Sequence, residues 1–203
     1  MKLELTWIGL AVISYLLGGI PFGLLIARSQ GIDLFKVGSG NIGATNAWRA
    51  MGPKWGILVF LLDLLKGLAM AIVSRILIPG GPQIGWAVVG LCAMIGHSLS
   101  PWIKFKGGKG VATLMGAILG ASPLVSLTGF GLFLVIVACT RIVSLASLIA
   151  IASALLWAYV YHDSTPMYFV YGAALLLTIF RHRANIKRLL NGEEPKMTLR
   201  KSE

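Results

Sequence analysis

Apolar residues run along this chain in long blocks separated by short polar stretches: Leu5 to Ala27, Gly56 to Ile78, Ile84 to Trp102, Val111 to Cys139, Val143 to Tyr161 and Met167 to Phe180. None of the blocks alternates residue by residue as a barrel strand would, so each predicts a helix. About 20 apolar residues are enough to cross a bilayer core, and most of the blocks reach that length. The first follows Met1-Lys2-Leu3-Glu4, with no net positive leader, and is longer than a signal-peptide core. It is therefore expected to be a retained span. The long block from Val111 to Cys139 contains Ala121-Ser122-Pro123, whose Ser-Pro pair stops a helix, so it is expected to fold back as a hairpin.

Composition narrows the class. Of 203 residues, 57% are hydrophobic and 12% charged, too little polar surface to coat a water-soluble globule of this size. The mean hydropathy of +0.83 also excludes a disordered chain, and two cysteines exclude a disulfide scaffold. Cys92 and Cys139 stand alone in apolar runs and are expected to be small buried hydrophobes.

A net charge of +11 would point to nucleic acid in a soluble protein, but here the positions of the charges matter more than their sum. Apart from Lys2, Lys66 and Arg75, every Lys and Arg lies between Arg28 and Lys54, between Lys104 and Lys109, at Arg141, or after Phe180. The positive-inside rule assigns all of these to the cytoplasm. Six crossings starting outside would return the basic tail to the outside, whereas a hairpin at Ser122-Pro123 makes seven and brings the tail and Arg141 inside. The first arm of that hairpin has only about ten apolar residues, roughly 15 Å of helix, so five spans with a re-entrant segment remain the alternative. The expected fold is an all-α integral membrane protein of about seven transmembrane helices, with the N-terminus outside and the C-terminus cytoplasmic. Residues 1–203 form a single polytopic domain ending in a basic helix and tail over 181–203.

Three polar clusters fall on the cytoplasmic side. In the first, Gly38-Ser39-Gly40-Asn41-Ile42-Gly43-Ala44-Thr45-Asn46 supplies small residues that let backbone N–H groups approach an anion. If a helix starts near Asn41, then Asn41, Thr45 and Arg49 share a face carrying an amide, a hydroxyl and a guanidinium, a set suited to phosphate oxygens. A Gly-rich turn before an ordinary interfacial helix is the alternative. The second cluster, His97 to Thr113, sets Lys106 and Lys109 around Gly107 and Gly108 directly before an apolar helix. Lys109 is followed by Gly and no upstream Gly is in register, so it is not a Walker loop. A basic anchor snorkelling to headgroups would explain the lysines, but not the glycines or His97. The third joins Arg141 to Ser147 with Arg181 to Arg188, where His182 and Asn185 lie one turn apart; lipid binding by a basic amphipathic helix is the alternative. His162 reads as a solvated loop residue. Asp63 and Lys66, one turn apart inside the second block, predict an internal ion pair, with a direct substrate role as the alternative.

No cysteine is placed as a nucleophile and no carboxylate lies in the three clusters, so a metal-dependent or carboxylate-based mechanism lacks its ligands. No metal or cofactor is expected. The His-x4-Asp signature of many lipid acyltransferases is also absent: Trp102, Met167 and Lys187 follow five residues after His97, His162 and His182.

The motifs Gly38 to Asn46, Gly96-His97 with Phe105 to Ala112, Ser144 to Ser147, and Arg181-His182 with Asn185 to Leu189 resemble, in order and spacing over nearly the full chain, those of the bacterial acyl-phosphate:glycerol-3-phosphate acyltransferases, the PlsY family. One departure is Ser100-Pro101, with the proline four residues after His97 where the family usually has three. The resemblance implies transfer of a fatty acyl group from acyl phosphate to the sn-1 hydroxyl of glycerol 3-phosphate, giving lysophosphatidic acid and phosphate, at the cytoplasmic face of the bacterial inner membrane. Acyl phosphate and glycerol 3-phosphate would be the partners, with a functional link to the enzyme that makes acyl phosphate. Ser39, Asn41, Thr45 and Arg49 would hold one phosphate, and Lys106, Gly107, Gly108 and Lys109 the other, with Ser144 and Arg181 assisting. His182 and Asn185 would orient glycerol phosphate, and His97 is the side-chain candidate for a base, unless a substrate phosphate oxygen takes the proton. The acyl chain would lie in a groove open to the bilayer. A transporter for a phosphorylated metabolite and a non-catalytic scaffold for anionic lipid are the rival functions. The first calls for polar outer loops and an internal repeat, and the second has no use for the Gly/Asn motifs.

Overall fold

The computed structural model describes residues 2–197, and every regular element among them is helical. Residues 198–203, including Lys201 and the end of the expected basic tail, lie outside the described residues. The first apolar block is two helices, α1 (Lys2–Gly18) and α2 (Phe22–Ser29), not one. Pro21 has no N–H to give and holds non-helical angles (φ −90°, ψ 70°), which breaks the helix at Gly19-Ile20-Pro21. Next come the short α3 (Ala44–Met51) and the long α4 (Pro53–Leu77), separated by Gly52 at φ 92°, a conformation open to glycine. The block expected to reach Trp102 is helical only through α5 (Gln83–Ser98) and ends in a 3₁₀ turn, Pro101–Ile103. Ser100, just before that proline, anchors the turn: its hydroxyl donates to the Gly19 carbonyl at 2.6 Å.

The Ser122-Pro123 break falls where the sequence predicts it, dividing α6 (Val111–Ala121) from α7 (Pro123–Thr140). The chain finishes with α8 (Val143–Val160), α9 (Thr165–Arg181) and the basic α10 (Arg183–Leu190). Five stretches are long and apolar enough to cross a bilayer: Leu3–Ser29, Pro53–Leu77, Gln83–Ile103, Pro123–Thr140 and Val143–Val160. α6 and α9 are shorter apolar helices.

The packing is that of a membrane protein. Large apolar side chains such as Ile76, Phe169 and Leu176 face outward, more than two-thirds exposed, while alanines at 71, 93, 146 and 174 are fully buried. Lipid tails leave no hydrophobic advantage to burying a Leu, so close backbone approach through small residues holds the helices together. A side chain on Gly67 would run into the Thr113 carbonyl, one on Gly116 into the Leu64 carbonyl, and one on Gly96 into the Tyr15 carbonyl. Cys139 is exposed on α7 and Cys92 is half-buried on α5, so neither is the buried hydrophobe expected of it.

Helix ends gather at two levels. At one, Gln83 donates to Asp163 at 2.6 Å and to the Ser122 hydroxyl at 2.7 Å, while Ser122 and Tyr171 donate to the other Asp163 oxygen at 2.8 and 2.5 Å. This ties together the α4–α5, α6–α7 and α8–α9 junctions. The Trp7 ring packs on Gly85 here, so the first half of α1 belongs to the same end. His162 is exposed in the α8–α9 turn. At the other level lie the α2–α3, α5–α6, α7–α8 and α9–α10 connections, which carry the three polar clusters.

Candidate active site

The first cluster is a folded loop built around one buried side chain. Asn46 accepts from the Ser39 backbone N–H at 2.9 Å and donates to the Leu34 and Val37 carbonyls at 3.2 and 3.1 Å. Its oxygen lies where a side chain on Gly38 would be, which is why that position is glycine. Asn41 lies ahead of α3, whose N-cap is Gly43, and its Oδ1 accepts from the Gly43 N–H at 2.9 Å. Ser39, Asn41, Thr45 and Arg49 all border one cavity, as does Asn46. Asn46 was missed in the sequence because its polar work is internal, although the Ser-Gly-Asn spacing around it signals a structured loop.

The same cavity is bordered by Gly43 to Thr45 at the start of α3, Gly110 to Ala112 at the start of α6, and Val143-Ser144 at the start of α8. Three helices therefore begin at the cavity, and their first turns carry N–H groups without intrahelical partners and the positive ends of their dipoles. An anion is the ligand such a chamber favours.

The second cluster divides. Lys109 and His97 border the cavity, whereas Lys106 is exposed on the loop and stands outside the lining. Gly107 and Gly108 are buried, and Arg181 donates to their carbonyls at 2.7 to 3.0 Å, so Arg181 braces the loop. The Gly108 N–H donates to the His97 carbonyl at 3.0 Å, fastening the loop to the end of α5. Lys109 donates to the Asn185 Oδ1 at 2.6 Å. Burial pushes the Lys109 ammonium down to about 8; the Glu194 charge opposes this, and Arg188, Arg49 and Arg181 add to it.

From the third cluster, Ser144, His182 and Asn185 border the cavity. Burial, with the nearby Lys109 charge, pushes His182 down to about 4, so the ring is neutral at neutral pH. The structure also adds carboxylates absent from the clusters as read in sequence: Glu194, from the tail after α10, and Asp63, from α4, both line the cavity. Glu194 accepts from Ser144 at 2.7 Å, Asn185 at 2.5 Å and Arg188 at 2.7 Å. Burial raises its pKa, but these hydrogen bonds outweigh it and hold the carboxyl below its usual range. Beside it Arg49 donates to the Pro195 carbonyl at 2.9 Å, and the Met197 N–H to the Arg141 carbonyl at 2.7 Å, so the tail straps the rim of the site. Glu194 sits 50 residues from Ser144 in a Gly-Glu-Glu-Pro turn, and only the folded chain reveals which of the two glutamates turns inward.

Below the chamber Asp63 and Lys66 form the expected ion pair, at 2.8 Å. The pair is not isolated: Lys66 also contacts the His97 Nδ1 at 2.8 Å and donates to the Ile20 carbonyl, at the α1–α2 break, at 3.2 Å. No group of three or more His, Cys, Asp or Glu side chains stands at metal-ligating spacing among the described residues.

The chamber is not closed. Phe60, Val111 and Phe133 border both it and a second, almost wholly apolar cavity that runs between α6, α7 and α8 past Met115, Ile118, Gly129 and Ala154. A polar chamber set for anions thus continues into a groove set for a hydrocarbon chain.

Known proteins share this sequence and architecture. The glycerol-3-phosphate acyltransferase family profile matches residues 8–192. The glycerol-3-phosphate acyltransferase of Aquifex aeolicus is 44% identical over 91% of this chain and 96% of its own, and that of Synechococcus elongatus is 38% identical over 98% of both. Two crystal structures of PlsY, an integral membrane glycerol 3-phosphate acyltransferase, superpose on the chain. The glycerol 3-phosphate form does so at a TM-score of 0.90, with 42% identity and 95% and 96% coverage. The lysophosphatidic acid form does so at 0.88, with 41% identity and 96% coverage of each. With identity near 40% along almost the whole length and the same helical architecture, the chain belongs to the glycerol-3-phosphate acyltransferase family of integral membrane enzymes, the PlsY family.

Proposed function

We propose that the protein transfers a fatty acyl group from acyl phosphate to the sn-1 hydroxyl of glycerol 3-phosphate, releasing lysophosphatidic acid and inorganic phosphate. The observation that carries this reading is the junction at Phe60, Val111 and Phe133, where an anion chamber meets an apolar groove. An acyl phosphate is an anion joined to a hydrocarbon chain through an acyl carbon, and it would place that carbon at the junction. Glycerol 3-phosphate and lysophosphatidic acid are what the two PlsY crystal forms are named for, and both fit the same division of polar and apolar space.

Acyl phosphate brings its own leaving group, so the protein's task is to hold two anions together and align a hydroxyl with the acyl carbon. Arg49, Lys109 and the first-turn amides of α3, α6 and α8 neutralise the phosphates, with Ser39, Asn41, Thr45 and Ser144 as further donors. His182 and Asn185 orient the glycerol. The hydroxyl oxygen bonds to the acyl carbon, the bond from that carbon to the phosphate oxygen breaks, and the hydroxyl proton leaves on the released phosphate. Lys106, exposed beside the chamber, would act at long range by drawing anions toward it.

The site faces the cytoplasm in this reading, with seven crossings, the start of α1 outside and α10 inside. Its support is the charge asymmetry, together with the gathering of the basic connections at one level and of the Gln83–Ser122–Asp163 network at the other. Purified protein given palmitoyl phosphate should release phosphate only when glycerol 3-phosphate is present. Equal product from palmitoyl-CoA, or release independent of glycerol 3-phosphate, would overturn the assignment.

A further inference from the structure

The two histidines of the chamber are pinned by partners of opposite kind. His182 Nδ1 lies 2.9 Å from the Thr178 carbonyl oxygen. A carbonyl only accepts, so Nδ1 carries the ring proton and Nε2 keeps a bare lone pair. His97 Nδ1 lies 2.8 Å from the Lys66 ammonium. An ammonium only donates, so here Nδ1 is the bare nitrogen and the proton sits on Nε2. Three acceptors surround the Lys66 Nζ, the Asp63 carboxylate and His97 Nδ1 at 2.8 Å each and the Ile20 carbonyl at 3.2 Å, one for each ammonium hydrogen, while the contact from Asp63 to His97 Nδ1 is longer, 3.4 Å. The lysine therefore sets the ring and the carboxylate holds the lysine. All three side chains are at least nine-tenths buried. The Nε2 edge of His97 faces Gly108, where any side chain would strike the nitrogen.

We propose that Asp63 and Lys66 are positioning residues of the transfer reaction, holding His97 in its Nε2–H form so that it offers the chamber a fixed hydrogen-bond donor while His182 offers the opposite, accepting tautomer. The pairing suits the chemistry: charge grows on the phosphate oxygen as its bond to the acyl carbon breaks, and a preset N–H beside it is stabilising. The lone pair of His182 would accept a hydrogen bond from glycerol 3-phosphate and orient it, while the reacting proton still leaves on the released phosphate. His97, the base candidate from sequence, becomes a donor, and Lys66, outside the cavity lining, and Asp63, at its wall, act through it. The catalytic half of this inference rests on the proposed transfer from acyl phosphate; the tautomers do not.

The test is nitrogen NMR of the detergent-solubilised protein labelled with ¹⁵N-histidine, with His97, His162 and His182 assigned by single His→Gln variants. The expected spectrum has His97 protonated at Nε2 and His182 at Nδ1. In Asp63→Leu/Lys66→Met, which leaves no unpaired buried charge, His97 should lose its tautomer preference. With substrate, kcat should fall at least tenfold while KM for glycerol 3-phosphate stays within about threefold; Lys66→Arg, which keeps a cationic donor, should restore the tautomer and part of kcat. His97 protonated at Nδ1 in the native protein, or a double variant with the native tautomer or native kcat, overturns the proposal. Absence of acyl-phosphate-dependent activity in the native protein would instead sink the transfer reading and leave the tautomer result standing.

Discussion

Lys109 offers the sharpest test of the chamber. Its ammonium donates to Asn185 at 2.6 Å, and the Glu194 carboxylate contributes field but is taken up by Ser144, Asn185 and Arg188. The charge is thus held close to an anion site without being consumed by a salt bridge of its own. A hydrogen bond from a charged group to a substrate phosphate is worth about 2–3 kcal/mol, so Lys109→Met should lower kcat/KM by roughly thirty- to a hundredfold. Lys109→Arg keeps the charge but replaces a compact ammonium with a planar fork, in a place bounded by Gly108 and Gly110, and should also lose activity. Acidity provides a second, independent signature. With burial holding Lys109 down to about 8, the free enzyme loses this charge as pH rises through that value, so kcat/KM for an anionic substrate should decline above it. Bound phosphate raises the pKa again, so kcat should hold to higher pH than kcat/KM. In Lys109→Arg, which stays protonated, the alkaline decline should disappear from the residual activity. The assay is phosphate release from palmitoyl phosphate and glycerol 3-phosphate by detergent-purified enzyme between pH 6.5 and 9.5. Near-native kcat/KM for Lys109→Met, in protein that elutes as a single folded species, would refute the phosphate contact and return Lys109 to a headgroup anchor.

Arg49→Lys keeps the charge but loses the fork that reaches both the cavity and the Pro195 carbonyl, so kcat/KM should fall at least tenfold, as steady-state kinetics would register. Gly129 lines the apolar groove, and a Cβ there meets only the Ala150 carbonyl at ordinary contact distance, 3.6 Å; Gly129→Leu should fold, lose turnover with palmitoyl phosphate and keep it with a shorter acyl phosphate, a preference that a chain-length series would measure. Gly116→Val should force α6 off the Leu64 carbonyl of α4 at a cost of about 1–3 kcal/mol, lowering the thermal unfolding midpoint in detergent without creating a new chain-length preference. With Cys92 and Cys139 replaced by alanine, a membrane-impermeant maleimide applied to intact cells should label Asp163→Cys and spare Arg141→Cys; the reverse pattern would invert the assigned orientation.

Hydropathy and charge, being properties of consecutive residues, were enough to find the apolar helices, the Ser122-Pro123 break and the clustering of basic residues in particular connections. Motif spacing was enough for the family, and it brought Ser39, Asn41, Thr45, Arg49, Lys109, Ser144, His182 and Asn185 to one chamber. Other features rest on contacts between residues distant in the chain, and local pattern is blind to them. The Pro21 break was legible as a residue type, but its use was not: the Ile20 carbonyl at the break accepts from Lys66, 46 residues away, as well as from the Phe22 N–H. The shared starting level of α3, α6 and α8 depends on how the helices pack, α6 on α4 through Gly67, Gly116 and Gly120 and α3 on α4 through Gly56, so the convergence of their dipoles belongs to the tertiary structure alone. The same holds for Lys106 and Arg181. As sequence they are two cations in anion-binding motifs; folded, one stays in solvent while the other satisfies buried carbonyls of the loop, because a buried carbonyl without a donor costs more than a surface charge gains. Glu194 is the clearest case. Next to Glu193 it is indistinguishable in sequence, and only a turn that brings it against Ser144, Asn185 and Arg188 makes it part of the site, since a carboxylate can enter a low-dielectric chamber only where donors are already waiting for it.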